Sequence, residues 1–186
     1  MRNLTAQKAA ARKSAFARRK AAFDAAPPAQ SAYLSEVLAG YRGVPLAGYM
    51  PIRTEISPLP AMEKAYLRGH RICVPVVVEA GRPLEFHEWT PDTEMVEGAF
   101  GALIPKESKI LIPDLVITPL VAFDRTGYRL GYGGGFYDRS FAQIAEDKEV
   151  QAAGFAYSEQ ELMMVPREKT DYPLNVIVTE LGVLRF

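Results

Sequence analysis

Two rhythms of apolar residues alternate along this chain. At helical spacing they run over residues 3–24, 29–39, 59–68 and 136–147, with Pro27, Pro28, Gly40 and Gly69 as stops. Between these lie short runs rich in β-branched residues, at 72–79, 84–89, 115–123, 152–157 and 175–179, with a shorter one at 46–51. Strands that alternate with helices predict an α/β fold, a mainly parallel sheet covered on both faces. The order in which the strands pair is not legible from spacing. Gly81, Pro83, Pro91, Gly98, Gly101 and Pro105 break residues 79–109 into short pieces, read as a hairpin and loops over the sheet.

A chain of 186 residues is long enough for one domain with its own core and short for two, so residues 1–186 are read as a single domain. The longest apolar run, "ICVPVVV" at 72–78, is strand-sized, and no membrane span is expected. The single cysteine, Cys73, lies inside that run, where it reads as core packing; it cannot form an internal disulfide, and a reducing, cytoplasmic setting is expected. His70 and His87 stand apart from any matching set of metal ligands and read as surface or structural residues.

Net charge is zero, but the charge is unevenly placed. Residues 1–20 hold seven bases and no acid, which leaves 15 bases against 22 acids in the rest. Three readings of the basic segment stand: an organellar transit peptide, a solvated helix face, or a ligand arm. At about 100° per residue, Lys8, Arg12 and Arg19 fall within roughly 40° of one another on a helix, a cationic face that suits a polyphosphate. Leu4, Phe16 and Phe23 flank that face and are expected to dock the helix on the body.

The densest chemistry is in "RLGYGGGFYDR", residues 129–139. Four glycines in five positions, Gly131 to Gly135 around Tyr132, expose successive backbone N–H groups, and a helix starting near Phe136 would add its positive end: an anion nest. A tight turn without ligand is the alternative. Gly-Lys-Ser and Gly-Lys-Thr occur nowhere, which excludes a P-loop, and G-x-G-x-x-F is not the dinucleotide fingerprint. Arg129 and Arg139 could neutralise phosphate oxygens, and Asp138 could hold a magnesium ion or simply be a helix-start acid. Phe136 reads as packing.

With those residues in place, the chain resembles the 5-formyltetrahydrofolate cyclo-ligase family, also called 5,10-methenyltetrahydrofolate synthetases. The likeness extends to "KAAARKSAFARR", "YMPIRTEISP", "PDLVITPLVAFDRTG", "AGFAYSEQEL" and "KTDYPLNVIVTE". Two positions depart from the pattern: Ala11 where leucine is usual, and Thr170 where many members have histidine. The resemblance implies a three-layer α/β/α sandwich, Rossmann-like, and an enzyme that uses ATP and Mg2+ to close 5-formyltetrahydrofolate to 5,10-methenyltetrahydrofolate. It implies nucleotide contacts at Lys8, Arg12, Arg129, Leu130, Gly131, Tyr132, Gly133, Gly134, Gly135, Phe136 and Tyr137, with Arg129 and Tyr137 at the reacting groups. It also implies magnesium ligands at Asp138 and Asp171, and folate contacts at Met50 and Glu55. Trp89 and Phe86 are read as either pterin-stacking or core residues, Trp89 being carried forward as a folate contact. The small molecules 5-formyltetrahydrofolate and ATP are the expected partners of a monomer, with no nucleic acid and no membrane. A binding protein of the same fold that holds folate or nucleotide without turnover is the alternative.

Overall fold

A computed structural model of the chain describes residues 3–27 and 29–186; Arg2 of the basic segment and the helix stop at Pro28 lie outside them. The helices are α1 (Leu4–Ala25), α2 (Ala32–Ala39), α3 (Leu59–Leu67) and α4 (Phe136–Asp147). In chain order the strands are β1 (Leu46–Ala47), β2 (Ile72–Val76), β3 (Glu85–Trp89), β4 (Met95–Glu97), β5 (Leu103–Pro105), β6 (Leu115–Pro119), β7 (Ala122–Phe123), β8 (Arg129–Leu130), β9 (Gln151–Phe155), β10 (Val176–Thr179) and β11 (Gly182–Arg185).

Seven strands form one sheet in the order β11-β10-β9-β6-β1-β2-β3. The five inner strands are parallel, and the edge strands β3 and β11 are antiparallel to their neighbours. Successive side chains of the inner strands point to opposite faces. Leu46, Ile72, Leu115, Ile117, Val176 and Val178 therefore join Leu34, Leu38 and Met62 of α2 and α3 on one side. Ala47, Cys73, Val116, Ala152 and Ile177 face the other side, with Phe141 of α4. Both faces are dry, which is why these strands read as continuous apolar runs. Each large side chain fully buried there contributes about 1.5–3 kcal/mol. The result is the expected three-layer α/β/α sandwich.

The order of the strands creates a crevice. From β1 the chain passes through α3 on one face to β2; from β6 it passes through α4 on the opposite face to β9. Strands β1 and β6 are neighbours, so the connections that leave their carboxyl ends diverge and open a gap at this switch point. The 49–58 loop and the glycine stretch both enter that gap.

Several boundaries differ from the sequence reading for identifiable reasons. The predicted strand at 115–123 is two strands: the buried Gln160 side chain donates to the carbonyls of Leu120 and Val121 (2.8 and 3.1 Å) and takes that segment out of the ladder. Strand β1 covers only Leu46–Ala47; Gly48 still donates to the Cys73 carbonyl (2.9 Å) and packs against the Met62 side chain with no room for a Cβ. The expected hairpin within 79–109 is the β4–β5 pair. Strands β8 and β11 had no signal of their own; each is a short partner recruited by a preceding strand.

Asp124 fixes the turn between β7 and β8. Its Oδ1 accepts from Thr126 N (2.8 Å), Thr126 Oγ1 (2.6 Å) and Tyr128 N (3.4 Å), and its Oδ2 from Val165 N (2.8 Å). Burial would raise its pKa, but these hydrogen bonds outweigh burial and hold it below the usual aspartate range. A depressed carboxylate stabilises the fold above its unfolded pKa, about 3.9, and the contribution is lost as pH falls through the folded value. Asp124→Asn is therefore expected to lose about 2 kcal/mol at neutral pH. In denaturant melts at several pH values, the gap to wild type should close below about pH 4.

Candidate functional site

Helix α1 lies over the crevice by a face that is cationic except at one position. Lys8, Arg12, Ala15 and Arg19 follow one another at helical spacing, and the small Ala15 is buried against Val121, Ala122, Leu130 and Val165. That contact brings the flanking cations down onto the loops. The sequence reading placed all three on one face that suits a polyphosphate, and in the structure each has its own partner. Lys8 Nζ pairs with Asp171 (3.1 Å) and Glu168 (3.4 Å). Arg12 Nε donates to the Gly131 carbonyl (2.8 Å). Arg19, 1 % exposed, donates through Nε to Thr54 Oγ1 (3.1 Å) and through Nη2 to the Tyr132 hydroxyl (2.7 Å). Phe16 docks as expected, with its ring 5.5 Å from that of Tyr132, whereas Phe23 remains 44 % exposed.

The glycine stretch joins β8 to α4. Gly133 (φ 108°) and Gly135 (φ 64°) occupy left-handed backbone, which strains any residue with a Cβ; at Gly133 that atom would also sit 3.2 Å from Arg12 Nη2. Gly135 caps α4 without a side-chain bond, so the first turn of a twelve-residue helix presents its amides to the crevice. Behind the loop, Arg129 is held on three sides. Its Nη1 donates to the Tyr172 carbonyl (2.7 Å), its Nη2 to Asp138 Oδ1 (2.7 Å), and its guanidinium lies 5.5 Å from the Phe141 ring, which stacks on Tyr172. Asp138 Oδ1 also accepts from Tyr172 N (3.0 Å), and Asp171 Oδ2 from Glu168 N (2.7 Å). Asp138 is thereby fixed beside the segment that carries Asp171. These bonds run through one oxygen of each carboxylate. Among the described residues no group of three or more metal-ligating side chains occurs. Magnesium does not need one: it binds through one or two carboxylates, keeps waters and takes phosphate oxygens from the nucleotide, so this pair fits it.

The third wall is the loop after β1. Tyr49 donates from its hydroxyl to the Ile56 carbonyl (2.6 Å), and Glu55 Oε2 accepts from Ile52 N (2.9 Å), with Arg53 at φ 55° in the turn between them. Burial raises the pKa of Glu55, against the lowering effects of the Ile52 bond, Arg19, Tyr132 and Arg53. Burial and the Glu55 charge together push Tyr132 up to about 12 and Tyr137 far above the usual phenol range, so both remain O–H donors at neutral pH. Met50 is partly buried against the core beside this loop.

Lys8, Arg12, Glu55, residues 129–138 and Asp171 thus converge on one crevice. Trp89 does not join them. It pairs with Ile72 at the amino-terminal end of β2 and is buried with Ile72 and Ala65, away from the carboxyl ends where Glu55 lies, so it is a core residue and the folate-contact reading is corrected. Phe86 is likewise core. Cys73, pushed up to about 12 by burial and by Glu88, is inert packing. His87 bridges Glu85 (3.0 Å) and Ser108 (3.1 Å) on β3. Sequence reasoning did not single out Thr54, Tyr49 or the burial of Arg19; no periodic signal marks a cation that turns inward between two aromatic rings.

Fold and site together define an α/β protein with a glycine loop leading into a helix N-terminus, two partly buried aspartates and a buried glutamate at the switch point of a parallel sheet. The sequence profile of the 5-formyltetrahydrofolate cyclo-ligase family matches residues 4–180, and the chain belongs to that family. It is 36% identical over 141 residues to the 5-formyltetrahydrofolate cyclo-ligase of Escherichia coli K12, a match covering 72% of this chain and 76% of that protein. A protein of the same name from Haemophilus influenzae is 36% identical over 135 residues, 69% of this chain and 72% of its own length. Among solved structures, the NMR structure of Aquifex aeolicus 5,10-methenyltetrahydrofolate synthetase superposes with a TM-score of 0.72 at 27% identity, covering 96% of this chain and 92% of that one.

The Arg129 clamp is directly testable. A lysine at this position keeps the charge but cannot address Asp138 and Tyr172 at once or cover Phe141. Arg129→Lys is expected to lose about 2 kcal/mol of stability, seen as a fall in Tm of about 4–8 °C by scanning calorimetry.

Proposed function

We propose that this chain closes 5-formyltetrahydrofolate to 5,10-methenyltetrahydrofolate at the expense of ATP. The observation that carries this reading is the convergence, at one switch point, of a glycine loop crossed by Arg12 and a buried carboxylate on the opposite wall. The amides of Gly131 to Gly135 and the start of α4 receive the nucleotide phosphates, with Lys8, Arg12, Leu130, Tyr132 and Phe136 around them. Met50 and Glu55 receive the folate, whose pterin ring offers an amino group and a ring N–H that a carboxylate accepts.

The formyl oxygen attacks the γ-phosphorus while the bond to ADP breaks, giving an imidate phosphate. The other folate nitrogen, N10, then attacks the imidate carbon, its N–H proton passes to solvent, and phosphate leaves with the C–O electron pair. No covalent enzyme nucleophile is required; positioning and charge neutralisation suffice. Tyr137, neutral at working pH, donates its O–H toward the reacting oxygens. Arg129 acts at the same centre as a positioning residue: its bonds keep Asp138 aimed into the crevice. Asp138 and Asp171 would hold Mg2+, which when bound neutralises phosphate charge.

No described helix is long and apolar enough to cross a membrane. A single-domain monomer in the cytoplasm completes the reading, with 5-formyltetrahydrofolate and ATP as its small-molecule substrates. Support for one domain comes from the continuity of the seven-stranded sheet from β1 to β11.

Purified protein mixed with 5-formyltetrahydrofolate, ATP and magnesium is expected to develop the absorbance of the methenyl product. Folate binding with no product at high enzyme concentration would instead identify a non-catalytic binding protein. Arg12→Ala is expected to raise the KM for ATP by roughly tenfold or more and that for folate by less than about threefold, because its contact is with the glycine loop. Equal effects on both would remove Arg12 from the nucleotide side.

A further inference from the structure

Arg19 is the largest fully buried side chain among the described residues, and one of its donors has no hydrogen-bond partner there. Nε is satisfied by Thr54 and Nη2 by Tyr132, and the rings of Phe16 and Tyr132 lie 5.2 and 5.4 Å from the guanidinium carbon. The unpartnered atom is Nη1, and it faces Glu55 Oε1 at 3.9 Å, too far for a hydrogen bond. A buried donor and a buried acceptor therefore stand side by side without closing on each other. Leaving such a donor unmade is costly, so its natural explanation is a partner that arrives with a ligand.

The shape of that partner follows from the pair. It must present an acceptor to Nη1 and, next to it, a donor to Oε1. Tyr132 supports this in kind: its hydroxyl accepts from Arg19 Nη2 and also interacts with Glu55, so a group that both accepts and donates already bridges the two side chains while Nη1 stays unpartnered. Tyr132 is 38 % exposed and stands at the solvent side of the slot. A ring lactam, with C=O and N–H adjacent, offers the same two kinds of group and satisfies Nη1 and Oε1 at once.

We propose that Arg19 is a specificity-determining residue that donates Nη1 to the C4 carbonyl of the pterin ring while Glu55 accepts from the adjacent ring N–H. The inference rests on the folate reading of this crevice and adds to it the edge of the ring that is read. It also gives Arg19 a different ligand from Lys8 and Arg12, although all three share one helix face.

The test compares, by isothermal titration calorimetry, the affinity of the wild-type enzyme, without ATP, for 5-formyltetrahydrofolate and for its 4-deoxy analogue, in which hydrogen replaces the C4 oxygen and the ring N–H that faces Glu55 is lost with it, so that the part of the preference abolished in Arg19→Met is the part that belongs to Arg19. Wild type is expected to prefer the 4-oxo ligand by at least roughly tenfold, since a site built around a hydrogen bond rejects the ligand that lacks it. In Arg19→Met, which keeps the length and packing of the side chain, the preference should fall at least about fivefold, with the KM for ATP within about threefold of wild type. Arg19→Lys should recover part of it. A merely structural Arg19 would weaken both ligands together and leave their ratio unchanged; that result overturns the proposal. The wild-type comparison needs no variant to fold: binding of 5-formyltetrahydrofolate with indifference to C4 overturns this inference and leaves the proposed function standing. Failure to bind 5-formyltetrahydrofolate at all overturns the function as well.

Discussion

The burial of a cationic helix face on the open end of a parallel sheet is the interaction on which the rest of this structure depends. Charged side chains are seldom fully buried unless paired, and α1 meets that condition by giving each cation a separate loop: Lys8 the segment at Asp171, Arg12 the glycine stretch, Arg19 the turn at Thr54 and Glu55. Three loops that share no backbone hydrogen-bond ladder with one another are thereby held at one crevice. Ala15 makes this possible, because its small side chain lets the helix come close enough for short hydrogen bonds.

The sheet supplies the opposite constraint. Its inner strands are buried on both faces and tolerate no polar chemistry of their own, so the chemistry collects at their carboxyl ends. The divergence of α3 and α4 from neighbouring strands decides which ends open. Asp124 and Arg129 then carry the rigidity of the sheet into the loops, the first by tying the β7–β8 turn to Val165, the second by tying the start of α4 to Tyr172. A glycine loop without these ties would pay its ordering entropy on binding each ligand.

Electrostatics in the crevice divide along the same walls. Glu55 is raised by burial, and Tyr132 and Tyr137, which reach it from the glycine stretch and the start of α4, remain protonated, so the surroundings of Glu55 offer neutral donors beside one carboxylate acceptor. The other wall carries backbone amides, cations and two carboxylates that are only partly buried. A ligand that is an uncharged ring at one end and a site for phosphoryl transfer at the other matches this division.

Much of the architecture was legible in the order of residues. Continuous apolar, β-branched runs alternating with helical ones specify a sheet covered on both faces, α4 begins and ends where the pattern placed it, and the glycine cluster marks the loop at any level of reading. The spacing of Lys8, Arg12 and Arg19 likewise determines that they share a face. What periodicity could not contain is which way a long side chain turns once a face is covered. Only the packing of α1 against Tyr132 and Thr54 sends Arg19 inward, and only the pairing Ile72 with Trp89 carries the tryptophan to the far end of the sheet from Glu55. Strand order belongs to the same class. Local sequence sets the rotation of each side chain about its own element, whereas the partner it meets depends on contacts between residues more than a hundred positions apart, such as Arg12 with Gly131, which no local pattern encodes.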